Sequence, residues 1–171
     1  MMKKSFARML SVLMCLMLLA VPAMAEETEK PDVTGILKEY STLDLSPYLG
    51  KVVLVNFFTE WCQYCMMEMP DIRKLVDLYE EDSLQVVLVH PWAGEDATNT
   101  ENVKERFDMH EMTFFEDEDG LVSQIVGVPG YPTSLFVNPD GTLEAGAAYM
   151  LTLEQMTAQL DAMGAVRKAV E

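Results

Sequence analysis

Cys62 and Cys65 stand two residues apart in Trp61-Cys62-Gln63-Tyr64-Cys65. Thiols at that spacing on a helix lie one turn apart, near enough to close a disulfide and to reopen it. The first N–H groups of a helix have no partner within it, and together with the macrodipole they stabilise an anion. Cys62 is nearer the helix start and is therefore the expected exposed nucleophile. Cys65 is the expected shielded, resolving thiol. Such motifs lower a thiol pKa from about 8.5 to between about 3.5 and 7.5. The pair alone also fits a static disulfide or half of a metal site. Met66, Met67 and Met69 nearby would suit copper(I), although methionines on a helix more often fill a core.

The elements around the pair are legible. Val52-Val53-Leu54-Val55-Asn56-Phe57-Phe58 is a near-continuous apolar run that reads as a strand buried on both faces. Residues 62–79 read as a helix, with Ile72, Leu75, Val76 and Tyr79 at helical spacing and a kink expected at Pro70. Leu84 to Val89 reads as a second buried strand, and Thr98 to Glu101 as a capping box opening a helix toward Phe107. Glu116 to Asp119 reads as a solvated acidic loop, and Leu121 to Val126 as a short helix. Thr133 to Val137 and Thr142 to Tyr149 flank the Pro139-Asp140-Gly141 turn as a hairpin. Thr152 to Gln155 is a second capping box, before a helix with Leu153, Met156, Leu160 and Met163 on one face. Ile36 to Thr42 reads as a short edge strand. The order implies an α/β fold with a mixed sheet, parallel in its first half and antiparallel at its end.

Lys3, Lys4 and Arg8 precede an apolar run from Met9 to Val21, and Ala23-Met24-Ala25 stands before Glu26. This is the three-part layout of a secretory signal peptide. Its apolar run is short of the roughly 20 residues that cross a bilayer, with an uncleaved membrane tether as the alternative. The expected units are a signal peptide over 1–25, a flexible leader over 26–35 and a domain over 36–171. The expected location is extracytoplasmic, secreted or periplasmic. The 171-residue chain has 12 basic and 28 acidic residues. Without Lys3, Lys4 and Arg8, nine basic residues face 28 acidic ones, a net charge of −19. That excludes nucleic-acid binding, which needs a basic face. Cys15 reads as signal-peptide filler, which leaves Cys62 and Cys65 as the cysteines of the mature chain. A mature chain of this size buries a core without a staple, so the pair reads as chemical rather than structural.

The run from Val52 to Cys65 resembles the active-site strand and helix of thioredoxin-fold proteins. Glu68-Met69-Pro70 is similar, more narrowly, to the TlpA/ResA-like branch of extracytoplasmic thiol–disulfide oxidoreductases. Gly130-Tyr131-Pro132-Thr133 and Phe136 to Gly141 resemble that family's second signature. The resemblance covers residues 36–163 and implies a thioredoxin-like fold. It implies that Cys62 attacks and Cys65 resolves, that Pro132 is a cis-proline, and that Tyr131 offers its backbone to a substrate strand beside Trp61. It implies cysteine-bearing extracytoplasmic proteins as partners, a membrane electron donor for a reductase, and no metal, flavin or nucleotide cofactor. A monomer that works as a reductant is expected. Where thioredoxins carry a buried aspartate, this chain has Asn56, which cannot accept a proton.

Glu68 follows Cys65 by three residues, on the same helical face, and matches an acidic position of those relatives. It is the expected proton acceptor for Cys65, with a pKa raised by burial. His90 is expected to be a partly buried structural residue and His110 a surface or packing residue. Thr59, three residues before Cys62, has the spacing of a thiol peroxidase. However, no proline lies between Pro47 and Cys62, and a resolving Cys65 favours dithiol exchange. Copper delivery through Cys62 and Cys65 is the remaining alternative.

Overall fold

The computed structural model describes residues 29–169. The expected signal peptide and Cys15 lie outside them. In chain order the elements are α1 (Val33–Tyr40), a 3-10 turn (Ser46–Tyr48), β1 (Val52–Phe57), α2 (Gln63–Leu78), β2 (Leu84–Pro91) and α3 (Ala97–Phe107). They continue with β3 (Thr113–Asp117), α4 (Leu121–Val126), β4 (Thr133–Val137), β5 (Leu143–Ala147) and α5 (Leu153–Ala162). The five strands form one sheet in the order β3-β2-β1-β4-β5. β1, β2 and β3 run parallel, while β4 and β5 are antiparallel additions. This is the expected mixed sheet.

β1 is central and every residue in it is buried. Strand side chains alternate faces, and two cores result. Val52, Leu54 and Phe58 pack with Ile72 and Leu75 of α2 and Met156 and Leu160 of α5. Val53, Val55 and Phe57 pack with Leu37 of α1 and Val122 of α4 on the other face. By the same alternation Asn56 belongs to the α2 face. There it stands level with Ser134 across β4 and Leu88 across β2. One step further along, His90 pairs in register with Glu116.

Four expectations are corrected. Residues 36–42 are not an edge strand: α1 covers Val33–Tyr40, with Asp32 accepting from the Gly35 N–H at 2.8 Å. Val33 and Leu37 are buried one turn apart, so the ordered fold begins inside the expected leader. The cap of α3 is Asp96 with Asn99, not Thr98 with Glu101. Glu116 and Asp117 are not in a solvated loop but end β3. Asp117 is buried because it accepts from the N–H groups of Val122 and Ser123 and from the Ser123 hydroxyl, at 2.7–3.0 Å, and so holds the start of α4. The returning strand is shorter than expected, Leu143–Ala147.

Candidate active site

β1 ends at Phe57, and four residues of turn deliver Cys62 to the N-cap of α2. Cys62 Sγ accepts the Cys65 N–H at 3.1 Å. The sulfur thus takes the place that a serine or aspartate oxygen takes at other helix starts. Cys62 and Cys65 are joined in a disulfide, with Cα atoms 5.2 Å apart. Cys62, expected to be exposed, is buried at 5% exposure, and Cys65 is fully buried; the disulfide holds the Cys62 sulfur against the start of α2, where it accepts the Cys65 N–H. Pro70 sits inside α2 without ending it.

Glu68 is 1% exposed although it is a carboxylate. Its Oε1 accepts from the Leu151 N–H at 2.7 Å and its Oε2 from the Asn56 amide at 3.0 Å. Burial pushes its pKa up, against these two hydrogen bonds, and Asp71 adds to the rise. The Asn56 amide also reaches Ser134 Oγ at 2.9 Å, and Asn56 Oδ1 has no protein partner. Asn56 therefore does not titrate but holds the group that does. Ser134 and the Leu151 backbone were not foreseen. The alternation of β4 was the available signal for Ser134; nothing local marks Leu151, which lies 83 residues from Glu68.

The aromatic surroundings are open. Trp61 and Tyr64 are 61% and 62% exposed. Trp61 meets the Tyr131 ring edge-on, with centroids 5.9 Å apart. The Tyr131–Pro132 peptide bond is cis. Thr59 is buried, and its hydroxyl has no protein partner. Met69 is in the core while Met67 is 55% exposed, so these two methionines do not face one point.

His90 is fully buried rather than partly so. Its Nε2 lies 2.7 Å from Glu95 Oε2 and its Nδ1 2.9 Å from Glu116 Oε2, and its ring stacks on Phe58 with centroids 5.3 Å apart. The two carboxylates flank opposite ring nitrogens and do not converge as metal ligands. Among the described residues no group of three or more His, Cys, Asp and Glu side chains could hold a metal. Burial raises the Glu116 pKa, but hydrogen bonds from Thr100, Trp92 and His90 together outweigh it and hold the carboxyl below its ordinary value. His110 is exposed.

A family model matches residues 26–145. The chain belongs to the AhpC/TSA family. Among curated proteins, this AhpC/TSA-family chain is 32% identical over 126 residues to the thiol-disulfide oxidoreductase ResA of Oceanobacillus iheyensis, a match covering 72% of this chain and 62% of that protein. It therefore spans less than two thirds of that relative. It is 29% identical over 141 residues to the sporulation thiol-disulfide oxidoreductase A of Bacillus subtilis, covering 79% of this chain and 84% of that one. The resemblance to the ResA-like branch is thus matched by relatives of that name. Among solved structures, a secreted Mycobacterium tuberculosis disulfide oxidoreductase superposes with a TM-score of 0.61 at 20% identity, covering 70% of this chain and 87% of that one. The exposed lipoprotein thioredoxin of Streptococcus pneumoniae gives a TM-score of 0.61 at 25% identity, with 69% and 89% covered. The fold of this AhpC/TSA-family protein is thioredoxin-like. Among the described residues no helix is long and apolar enough to cross a membrane.

Proposed function

We propose that the protein is an extracytoplasmic thiol–disulfide oxidoreductase that reduces disulfides in cysteine-bearing proteins. The observation that carries this reading is the Cys62–Cys65 disulfide at the start of α2, with Cys62 Sγ at the N-cap accepting the Cys65 N–H. In the reduced protein the Cys62 thiolate attacks a substrate disulfide, and one substrate sulfur leaves as a thiolate that takes a proton. A mixed disulfide remains. Cys65 then gives its proton to the Glu68 carboxylate and attacks Cys62 Sγ, which releases the second substrate thiol. Two electrons pass to the substrate, and the Cys62–Cys65 disulfide is restored.

Glu68 suits the proton-acceptor role because burial raises its pKa while Leu151 and Asn56 keep its charged form hydrogen-bonded. Trp61 and Tyr131 form an aromatic wall for the substrate segment, and the backbone around Pro132 pairs with it. The protein works as a monomer. An extracytoplasmic dithiol needs an electron source, and a membrane-bound carrier supplies it. Names of relatives such as thiol-disulfide oxidoreductase ResA support this reading. The test is turnover of a disulfide-bonded polypeptide by the reduced protein, with alkylation and mass spectrometry counting thiols. Loss of two thiols from the protein for each substrate disulfide opened is expected. Turnover of hydrogen peroxide but of no disulfide would overturn the reading.

A further inference from the structure

The turn between β1 and α2 carries N–H groups outside any strand ladder, and buried or half-buried donors of this kind need a partner. Glu95, from the loop after β2, supplies it. Its Oε2 accepts from the Glu60 N–H and its Oε1 from the Trp61 N–H, each at 2.9 Å. The next residue is Cys62. The same loop holds the Trp61 indole, whose Nε1 donates to the Ala93 carbonyl at 3.1 Å. Backbone and ring of Trp61 are thus both fixed from one short segment.

That segment is itself anchored from beneath. The Glu95 side chain is 5% exposed and meets His90, which is fully buried. Each His90 ring nitrogen faces a carboxylate oxygen, Nε2 toward Glu95 and Nδ1 toward Glu116. The His90 ring thus gives Glu95 Oε2 a buried polar partner beneath the turn. Thr100 Oγ1 lies 2.9 Å from Nδ1, and the Trp92 indole donates to Glu116 at 2.8 Å. Neither His90 nor Glu95 is used in the exchange steps above.

We propose that His90 and Glu95 are positioning residues for substrate engagement: the Glu95 carboxylate, set by His90, fixes the Glu60–Trp61 backbone and so stands the Trp61 indole beside Cys62 as a docking wall for polypeptide disulfides. The proposal rests on the dithiol reading. It gives the site a preference for disulfides with polypeptide around them over small disulfides, which reach Cys62 without leaning on the wall.

The test uses the mature protein and Glu95→Gln, which keeps the shape but has one acceptor oxygen and turns an NH2 group toward the turn. Amide exchange at Glu60 and Trp61, read by NMR, should quicken by about tenfold. Reduction of a disulfide-bonded polypeptide should slow by about tenfold more than reduction of a small aromatic disulfide. In a Trp61→Ala background, Glu95→Gln should add no further selective loss. Equal losses on both disulfides, or additive losses in the double variant, overturn the proposal. If Glu95→Gln does not fold, Trp61→Ala alone must show the selective loss, and unchanged selectivity overturns the proposal. A wild-type protein that reduces neither disulfide sinks the dithiol reading and this one together. Wild-type turnover with unchanged selectivity in a folded Glu95→Gln sinks this one alone.

Discussion

The Asn56 side chain donates to Glu68 Oε2 at 3.0 Å, so a neutral strand residue holds the acidic residue of the helix that carries both cysteines. A carboxylate placed in a core would ordinarily neutralise. Here two donors support its charged form while burial opposes it. Burial and the two donors thus pull the Glu68 carboxyl in opposite directions.

Glu68→Gln tests that balance. Folding raises the Glu68 pKa, so the stability linked to it is fully present below the unfolded value and is lost as pH rises through the folded value. The variant should therefore gain stability relative to wild type as pH rises from the unfolded carboxyl value through the folded one, and keep that gain above it. Urea unfolding across pH measures this. Removing the charge should also lower the Cys62 pKa, read by thiolate absorbance, and slow resolution by Cys65.

Asn56→Asp would set a second carboxylate against Glu68. Like charges at that range cannot both ionise. The folded variant would then hold a proton that the unfolded chain has released, so its stability should rise as pH falls. A loss of about 2 kcal/mol relative to wild type near pH 8, shrinking toward pH 5, is expected from denaturant melts.

Cys65→Ser should leave substrates attached through Cys62, visible as reductant-sensitive adducts on a non-reducing gel. Cys62→Ser should capture little, because Cys65 is fully buried. Equal capture by both variants would reverse the assigned order of attack.

Asp117→Asn should destabilise without touching the exchange chemistry. The carboxylate takes two backbone N–H groups and the Ser123 hydroxyl at the start of α4. An amide presents one acceptor oxygen and turns its NH2 toward a buried donor, at a cost of about 1–3 kcal/mol. A lower Tm with an unchanged rate per folded molecule is the expected result.

Which parts were legible follows from where each signal resides. β1 and α2 write their burial into consecutive residues, as an unbroken apolar run and a 3.6-residue period. The cysteine pair and Glu68 ride on that period. Residues 36–42 read as a strand because Ile36, Tyr40 and Thr42 favour extended backbone; the cap at Asp32, in the expected leader, is the counter-signal. β3 was hidden by Glu116 and Asp117, acidic because one faces His90 and the other holds α4. The burial of His90 depends on Glu95, Thr100 and Glu116, drawn from three separate segments, and no local pattern announces such a meeting. Sequence patterning reports what an element does for itself, and these residues answer to neighbours far along the chain.

The stretch before α1 is fastened to the β4–β5 hairpin. Thr34 N–H donates to the Gly141 carbonyl, Leu143 N–H to that of Pro31, and Lys30 pairs with Glu144. The turn of this hairpin sits beside the start of β1, where Gly50 N–H meets the Pro139 carbonyl at 2.8 Å. The disulfide follows the other end of β1. Six strand residues separate these two poles, a span of about 20 Å. The described chain therefore starts at the pole away from the cysteines. A contact made at that end of the domain leaves the disulfide, at the opposite pole, uncovered.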